Sequence, residues 1–256
     1  MKKYLLGVIF TLIYIGVSAE DKTGNAGFFS KETSDLEIVA GFNLGGASPL
    51  PLPEEIRKIE SFNPNLNFSI GANFTKWFSP QRKWGVQLGL HLGTKGMTTK
   101  ASVKNYGMEI IQDGKSISGR WTGKVKTRYH SQQLMIPIQA VWGCSDKVRI
   151  NFGPYLAYAF KNEFDGYVMD GYLREGNPTG DKVVFEGDAR ADYDFDSELR
   201  DFNWGAQAGV EWDVLTHFCL HANLMWGCNG IFKSDFHTIT FRMYPIYLNL
   251  GFGYTF

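Results

Sequence analysis

Apolar and polar residues alternate with a period of two along most of this chain, in stretches of about ten residues. The first stretch sets Leu36, Ile38, Ala40, Phe42 and Leu44 on one face. The second sets Leu66, Phe68, Ile70, Ala72 and Phe74 against Asn65, Asn67, Ser69, Gly71 and Asn73. Six more run over residues 84–92, 134–142, 148–160, 202–212, 218–226 and 246–256, with Pro137 a blemish in the fourth stretch. Successive side chains on a strand point to opposite faces, so each stretch predicts a β-strand with one apolar face and one that is small and polar. Helical periodicity is absent, and beyond the N-terminus no apolar run is long enough to cross a membrane as a helix.

Soluble sandwiches alternate as well, so the connections have to decide between them and a membrane barrel. The links 79–83, 143–147 and 213–217 are short, whereas 45–63, 94–128, 161–200 and 227–243 are long. Strict alternation of short and long links belongs to outer-membrane barrels, which keep turns on the periplasmic side and loops outside. The pattern therefore predicts an all-β fold: an eight-stranded antiparallel up-and-down transmembrane β-barrel with long extracellular hairpin loops. Trp77, Trp84, Trp142, Trp212, Tyr254 and Phe256 fall near one set of strand ends, and Phe160, Phe202, Trp204 and Trp226 near the other, as two interfacial belts would require.

The N-terminus adds a destination. Met1-Lys2-Lys3 precedes an apolar run over 4–17 and the small-residue pattern Val17-Ser18-Ala19, which predicts a signal peptide over 1–19, a periplasmic segment over 20–35 and a barrel over 36–256. Cleavage leaves 237 residues with a formal charge of −2. The whole chain balances 26 basic against 26 acidic residues, is 44% hydrophobic and 15% aromatic, and so fits neither disorder nor bulk nucleic-acid binding. The expected location is the outer membrane of a Gram-negative bacterium, with outer membrane lipid, lipopolysaccharide and the barrel assembly machinery as partners and no nucleic acid. Cys144, Cys219 and Cys228 are odd in number and lack metal-ligand spacing, so isolated thiols are expected, with a Cys219/Cys228 bridge as the alternative.

Short motifs carry a family likeness. Leu134-Met135-Ile136-Pro137-Ile138, Asn151-Phe152-Gly153-Pro154-Tyr155-Leu156-Ala157-Tyr158, Asp201-Phe202-Asn203-Trp204-Gly205 with Gly209-Val210-Glu211, and the terminal Leu248-x-Leu250-Gly251-Phe252-Gly253-Tyr254-Thr255-Phe256 resemble the PorT-like outer membrane protein beta-barrel group of Bacteroidota-type bacteria. The resemblance covers nearly the whole mature chain, implies an eight-stranded outer-membrane barrel, and brings no catalytic residues. For the group's namesake it implies a link to protein secretion. No residue here marks that role, so secretion-system proteins are the partners of the alternative function.

Candidate chemistry is sparse. His130 and Ser131 are adjacent and so point to opposite faces of a strand, no nucleophile, base and orienting group can be placed together, and no phosphate loop or metal-hydrolase motif occurs; neither an enzyme nor a cofactor is expected. Gln87, His91, Gln139, Arg149, Asn151, Asn203, Gln207, Glu211, His221, Asn223 and Asn249 face inward, and an eight-stranded barrel is narrow enough for such groups to fill it. Arg149 and Glu211 are expected to pair near its periplasmic end. Positions 95–128 hold eight basic and two acidic residues, a net of +6, and positions 161–200 hold eleven acidic and five basic, a net of −6. Both read as strand extensions, turning at Gln112-Asp113-Gly114-Lys115 and Gly176-Asn177-Pro178-Thr179-Gly180. Two solvated hairpins with weakly paired charges are the ordinary reading. The functional one is a recognition surface in which Lys115, Arg120, Lys124, Lys126 and Arg128 meet anionic lipopolysaccharide or glycan, and the acidic hairpin a cationic partner. Asp192, Asp194, Asp196 and Glu198 would share one face of a strand, giving a solvated edge or, alternatively, a surface Ca²⁺ site; Ser197 and Asn203 stand where an EF-hand needs Gly and Glu.

The C-terminus supplies the assembly signal, with Ile246, Leu248, Leu250, Phe252, Tyr254 and Phe256 on one face. An open strand edge in lipid leaves backbone groups unpaired, each costing several kcal/mol, so the last strand must pair with residues 36–44. Deleting Tyr254, Thr255 and Phe256 should block insertion although no loop is touched. A truncated protein that still reaches the outer membrane and keeps its heat-modifiable gel shift contradicts this.

Overall fold

A computed structural model describes Ser30 and residues 32–256 apart from Asp113 and Gly114, and for Gln112 and Lys115 it describes the backbone. The expected signal peptide, most of the expected 20–35 segment and the expected Asp113-Gly114 turn lie outside the described residues. The strands are β1 (Ser34–Pro49), β2 (Ile56–Asn63), β3 (Phe68–Trp77), β4 (Trp84–Gln112), β5 (Lys115–Ser145), β6 (Val148–Glu175), β7 (Lys182–Asp194), β8 (Phe202–Leu215), β9 (Phe218–Gly227) and β10 (Met243–Thr255). A single 3-10 turn covers Asp196–Glu198.

Eight of these strands, those containing the eight alternating stretches, close a ring. Antiparallel pairing runs β1–β3–β4–β5–β6–β8–β9–β10 and returns to β1. The closing seam spans Glu37↔Thr255 to Pro49↔Met243. Beyond the ladder, the Phe256 amide donates to Leu36 O at 2.9 Å.

Inside and outside follow the period-two rule. On β8, Asn203, Gln207 and Glu211 are buried while Phe202, Trp204, Val210 and Trp212 are exposed. This inverts the order of a water-soluble protein and suits a ring whose outside meets hydrocarbon and whose inside is sealed. Trp84, Trp142, Trp212, Tyr254 and Phe256 form one exposed aromatic rim, and Phe160, Phe202, Trp204 and Trp226 the other. Trp77 corrects the expectation. It shares its face of β3 with Asn73 and Thr75, is 2% exposed, and donates from Nε1 to Asp35 Oδ2 at 2.7 Å inside the ring. Its position parity, and not its residue type, sets its direction.

Polar side chains fill the lumen. Gln139 Nε2 donates to Asn151 Oδ1 at 3.2 Å, and Asn151 Nδ2 to Glu211 Oε1 at 2.8 Å. Asn73 Nδ2 donates to Glu37 Oε2 at 3.2 Å, and Asn249 Nδ2 reaches Asn43 Oδ1 and Ser69 Oγ, both at 2.8 Å. Small inner-face residues make room for this layer: a Cβ on Gly209 would stand 1.7 Å from Asn223 Oδ1. Pro137 also points inward, where Gly89 faces it and a Cβ there would meet its ring at 2.6 Å. A void of about 30 Å³ opens among these lumen side chains, room for one or two waters.

Leu134, Ile136, Ile138 and Ala140 lie on the outer face of β5, between buried Met135, Pro137, Gln139 and Val141. Ile136→Arg should cost ~2–4 kcal/mol and impair assembly, as charges facing mid-membrane do. Semi-native gels of Ile136→Arg and Gln139→Leu check this; normal assembly of the first with failure of the second means the faces are reversed.

Candidate recognition surface above the membrane

β4, β5 and β6 carry 29, 31 and 28 residues, about three times what a tilted strand needs to cross hydrocarbon. Their outer portions, with β2 and β7, rise past the ring. β2 pairs with β4, β7 pairs with β6, and the bridge Ile111↔Asp192 brings β7 back to β4, so that β4, β5, β6 and β7 close a second, smaller ring. Its interior is apolar. Met108, Ile110, Trp121, Val125, Phe164, Val168, Leu173, Phe185 and Phe195 pack there, and a Trp121–Phe185 edge contact at 5.6 Å sits within it.

Residues 228–242 fold onto this dome. Phe232 meets Phe164 and Phe236 at 4.8 Å each, and Phe236 meets Phe195 at 5.0 Å. The Lys233 amide donates to Glu198 O at 2.8 Å. The loop passes so close to β4 that a Cβ on Gly107 would lie 2.2 Å from Thr238 O. The loops are therefore a folded layer with its own core, which the charge pattern of the hairpins concealed.

Part of that charge pairs internally. Arg128 stands opposite Asp165 in the β5–β6 register and donates from Nε to Asp165 Oδ1 at 2.7 Å, and Lys124 Nζ lies 2.9 Å from Asp170 Oδ2. The hydrogen bond to Asp170, followed by that residue's charge, raises the pKa of Lys124; Asp165 does the same for Arg128. Lys126 Nζ stands 5.3 Å over the Tyr167 ring. Arg120 lies opposite Gly107 and Arg174 in register, half-buried, and the side chain of Lys115 lies outside the described residues.

Beside the dome core opens a cleft of about 380 Å³, within the size range of small-molecule sites. Phe195, Phe236 and Ile111 give it an apolar floor, and Glu109, Asp194, Glu198 and Asp235 surround it with His237. The Ser116 hydroxyl hydrogen-bonds Glu109, and Ser197 Oγ donates to Glu198 Oε1 at 3.0 Å. Apolar side chains beside several carboxylates suit a ligand that is both cationic and partly apolar, the rings meeting its stem and the carboxylates its charge. Sequence reasoning missed this site: Asp235, Phe236 and His237 belong to a loop without periodicity, and only folding brings them to β4 and β7.

Residues 25–233 match the family described as outer membrane protein beta-barrel domain. The chain belongs to that family. Solved structures with similar folds include Ail, the attachment invasion locus protein of Yersinia pestis, 13% identical over 87% of this chain and 97% of Ail, with a TM-score of 0.35. OprG of Pseudomonas aeruginosa is 14% identical over 88% and 96%, TM-score 0.30, and the outer membrane protease OmpT of Escherichia coli 10% identical over 88% and 97%, TM-score 0.32. No curated protein matches the chain.

Within this outer-membrane barrel, Arg149 Nη2 lies 3.4 Å from Glu211 Oε2, and also 3.6 Å from Glu37 Oε1 and 2.9 Å from Asp213 Oδ1. The proximity of Glu37 and Asp213 was not foreseen, because Glu37 comes from a strand on the far side of the sequence. Tyr254 stands opposite Ile38 on the seam, and Phe256 just past it. His91 Nε2 lies 2.7 Å from Asn73 Oδ1 and His221 Nε2 lies 2.8 Å from Asn249 Oδ1, while His130 and Ser131 differ in burial as neighbours on a strand must. The thiols of Cys144, Cys219 and Cys228 are free, and Cys219 donates to Glu37 Oε1 at 2.9 Å.

The proposed carboxylate face does not form. β7 ends at Asp194, Phe195 turns into the dome core, and Asp196 and Glu198 sit on the 3-10 turn. Asp196 Oδ1 accepts the Phe164 amide at 2.6 Å, and its burial, the largest influence, raises its pKa. Among the described residues no three His, Cys, Asp or Glu side chains are arranged to hold a metal ion.

Trp121→Ala should remove ~3–5 kcal/mol from the dome, as loss of a fully buried indole does. Trypsin should then cut near Arg120 and Lys124 while the barrel keeps its gel shift. Unchanged resistance to trypsin would mean the dome core does not hold the loops.

Proposed function

We propose that the protein is a non-enzymatic outer-membrane barrel that recognises a cationic partner at the cell surface through its dome. The observation that supports this most is the cleft of Phe195, Phe236, Glu109, Asp194, Glu198 and Asp235, set in a layer that is folded before any partner arrives. Such preorganisation lowers the ordering cost of binding. A guanidinium or ammonium on a peptide or glycan amine is the chemistry that fits: the apolar floor takes the stem and the carboxylates the charge. Lipid and lipopolysaccharide contact the exposed apolar belt and the basic residues around it, and the barrel assembly machinery reads Tyr254 and Phe256; both belong to the same proposal.

Protein export, the alternative carried by the PorT-like resemblance, would use this barrel as a docking partner and not as a conduit, since side chains fill its lumen. Co-purification with large secretion subunits favours that reading; recovery alone or with lipopolysaccharide favours recognition.

Binding of an oligo-lysine peptide to the detergent-solubilised protein tests the cleft directly. The double variant Glu198→Gln/Asp235→Asn should weaken binding at least ~10-fold, about 1.4 kcal/mol, and added salt should weaken the wild type. Equal binding by variant and wild type, or equal binding of oligo-glutamate, contradicts the proposal.

A further inference from the structure

The lumen changes character along its length. At the periplasmic end three carboxylates surround one guanidinium, that of Arg149, the second residue of β6. Toward the outer end, the twelfth residue of β4 is Lys95, 3% exposed. Eleven residue steps along the strand separate it from Trp84 at the inner rim, roughly 36 Å along the chain. Its ammonium stands 5.2 Å from the ring centroid of Tyr155 and 5.3 Å from that of Tyr247, rings that pack with Met135 and Met225 in an apolar layer across the lumen. It has no hydrogen bond or ion pair with any described residue.

One further polar group beside the same void is also unpartnered. Gln133 stands opposite Gly93 while Ser131 stands opposite Lys95, which puts Lys95 and Gln133 on neighbouring strands with both side chains inward. Gln133 is 6% exposed and its carboxamide hydrogen-bonds no described residue. The hydroxyls of Tyr155 and Tyr247 are buried without partners. Lys95 and Gln133 both line the lumen void of about 30 Å³, together with Met135 and Met225 and with His91, His221 and Glu211.

A buried charge is costly without an opposite charge, and buried donors are costly without acceptors. Water would satisfy the donors and leave the charge uncompensated. A cation would be repelled by the ammonium, and a large anion exceeds the void. We propose that the outer part of the lumen binds a small monovalent anion of halide size, held between the Lys95 ammonium and the Gln133 carboxamide. This internal site is independent of the cleft on the dome, and either can fail without the other.

Bromide is the probe. Crystals of the full chain grown in bromide should show an anomalous peak within ~3.5 Å of Lys95 Nζ, the reach of a hydrogen bond to a halide, and Lys95→Met crystals should lose it. In solution, the temperature at which the folded gel band disappears should shift upward in bromide relative to gluconate at equal ionic strength. The shift should vanish in Lys95→Met and persist in Lys95→Arg. Should Lys95→Met fail to assemble, the wild-type map and Gln133→Leu, which should show a diminished peak, carry the test. A map with no bromide beside Lys95, a peak that survives Lys95→Met, or the same shift in wild type and Lys95→Met overturns the proposal.

Discussion

Hydrocarbon offers no hydrogen bonds, so every backbone N–H and C=O that crosses it must find a partner within the sheet, and only a closed ring satisfies that condition with strands. The seam from Glu37↔Thr255 to Pro49↔Met243 is where the condition is met. Closure also fixes the side chains. Once each strand has two neighbours its faces are committed, and a slip of one residue would turn Arg149 and Glu211 toward lipid and Ile150 and Val210 toward the lumen. The polar lumen network and the apolar belt are thus two consequences of one register.

The same strands serve two solvents in turn. β4 carries Gln87, His91 and Lys95 into the lumen and then Met97, Ala101 and Val103 into the dome core. Past Val103 the register shifts, with Asn105 at a φ of 55°, and the buried positions become Tyr106, Met108 and Ile110. β6 shifts between Ala159 and Lys161 and again between Met169 and Gly171, where Asp170 has a φ of 49°. Its buried set passes from Tyr155, Ala157 and Ala159 to Phe164 and Val168 and then to Leu173. Bulges increase local twist and re-aim side chains, which lets a ring wide enough for a polar filling narrow into one that closes over an apolar core.

Those shifts explain what could be read from the sequence and what could not. Alternation is unbroken within the membrane, so all eight ring strands and their lipid faces were legible, and the terminal pattern pointed to closure. Above the membrane each bulge resets the phase. The alternating stretches accordingly stop near Leu92 and Phe160, and the charges of 95–128 and 161–200 suggested solvated hairpins where there is a packed dome. Ile231, Phe232, Phe236 and Ile239 follow no period, so their part in that core was invisible. Trp77 was misplaced because residue type was weighed above parity, and the four carboxylates because the strand was extended past Asp194. Of the candidate site, the acidic β7 region was legible; its aromatic floor was not.

Cross-linking across the seam tests closure most directly. In a background with Cys144→Ser and Cys228→Ser, Phe42→Cys with Leu250→Cys places two thiols directly opposite each other on adjacent strands, close to the separation a disulfide requires. The closed ring predicts an intramolecular disulfide in protein assembled in membranes, and none for Phe42→Cys with Tyr254→Cys, which is out of register. Failure of the first pair to cross-link, or equal cross-linking of both, would contradict a closed eight-stranded barrel in this register.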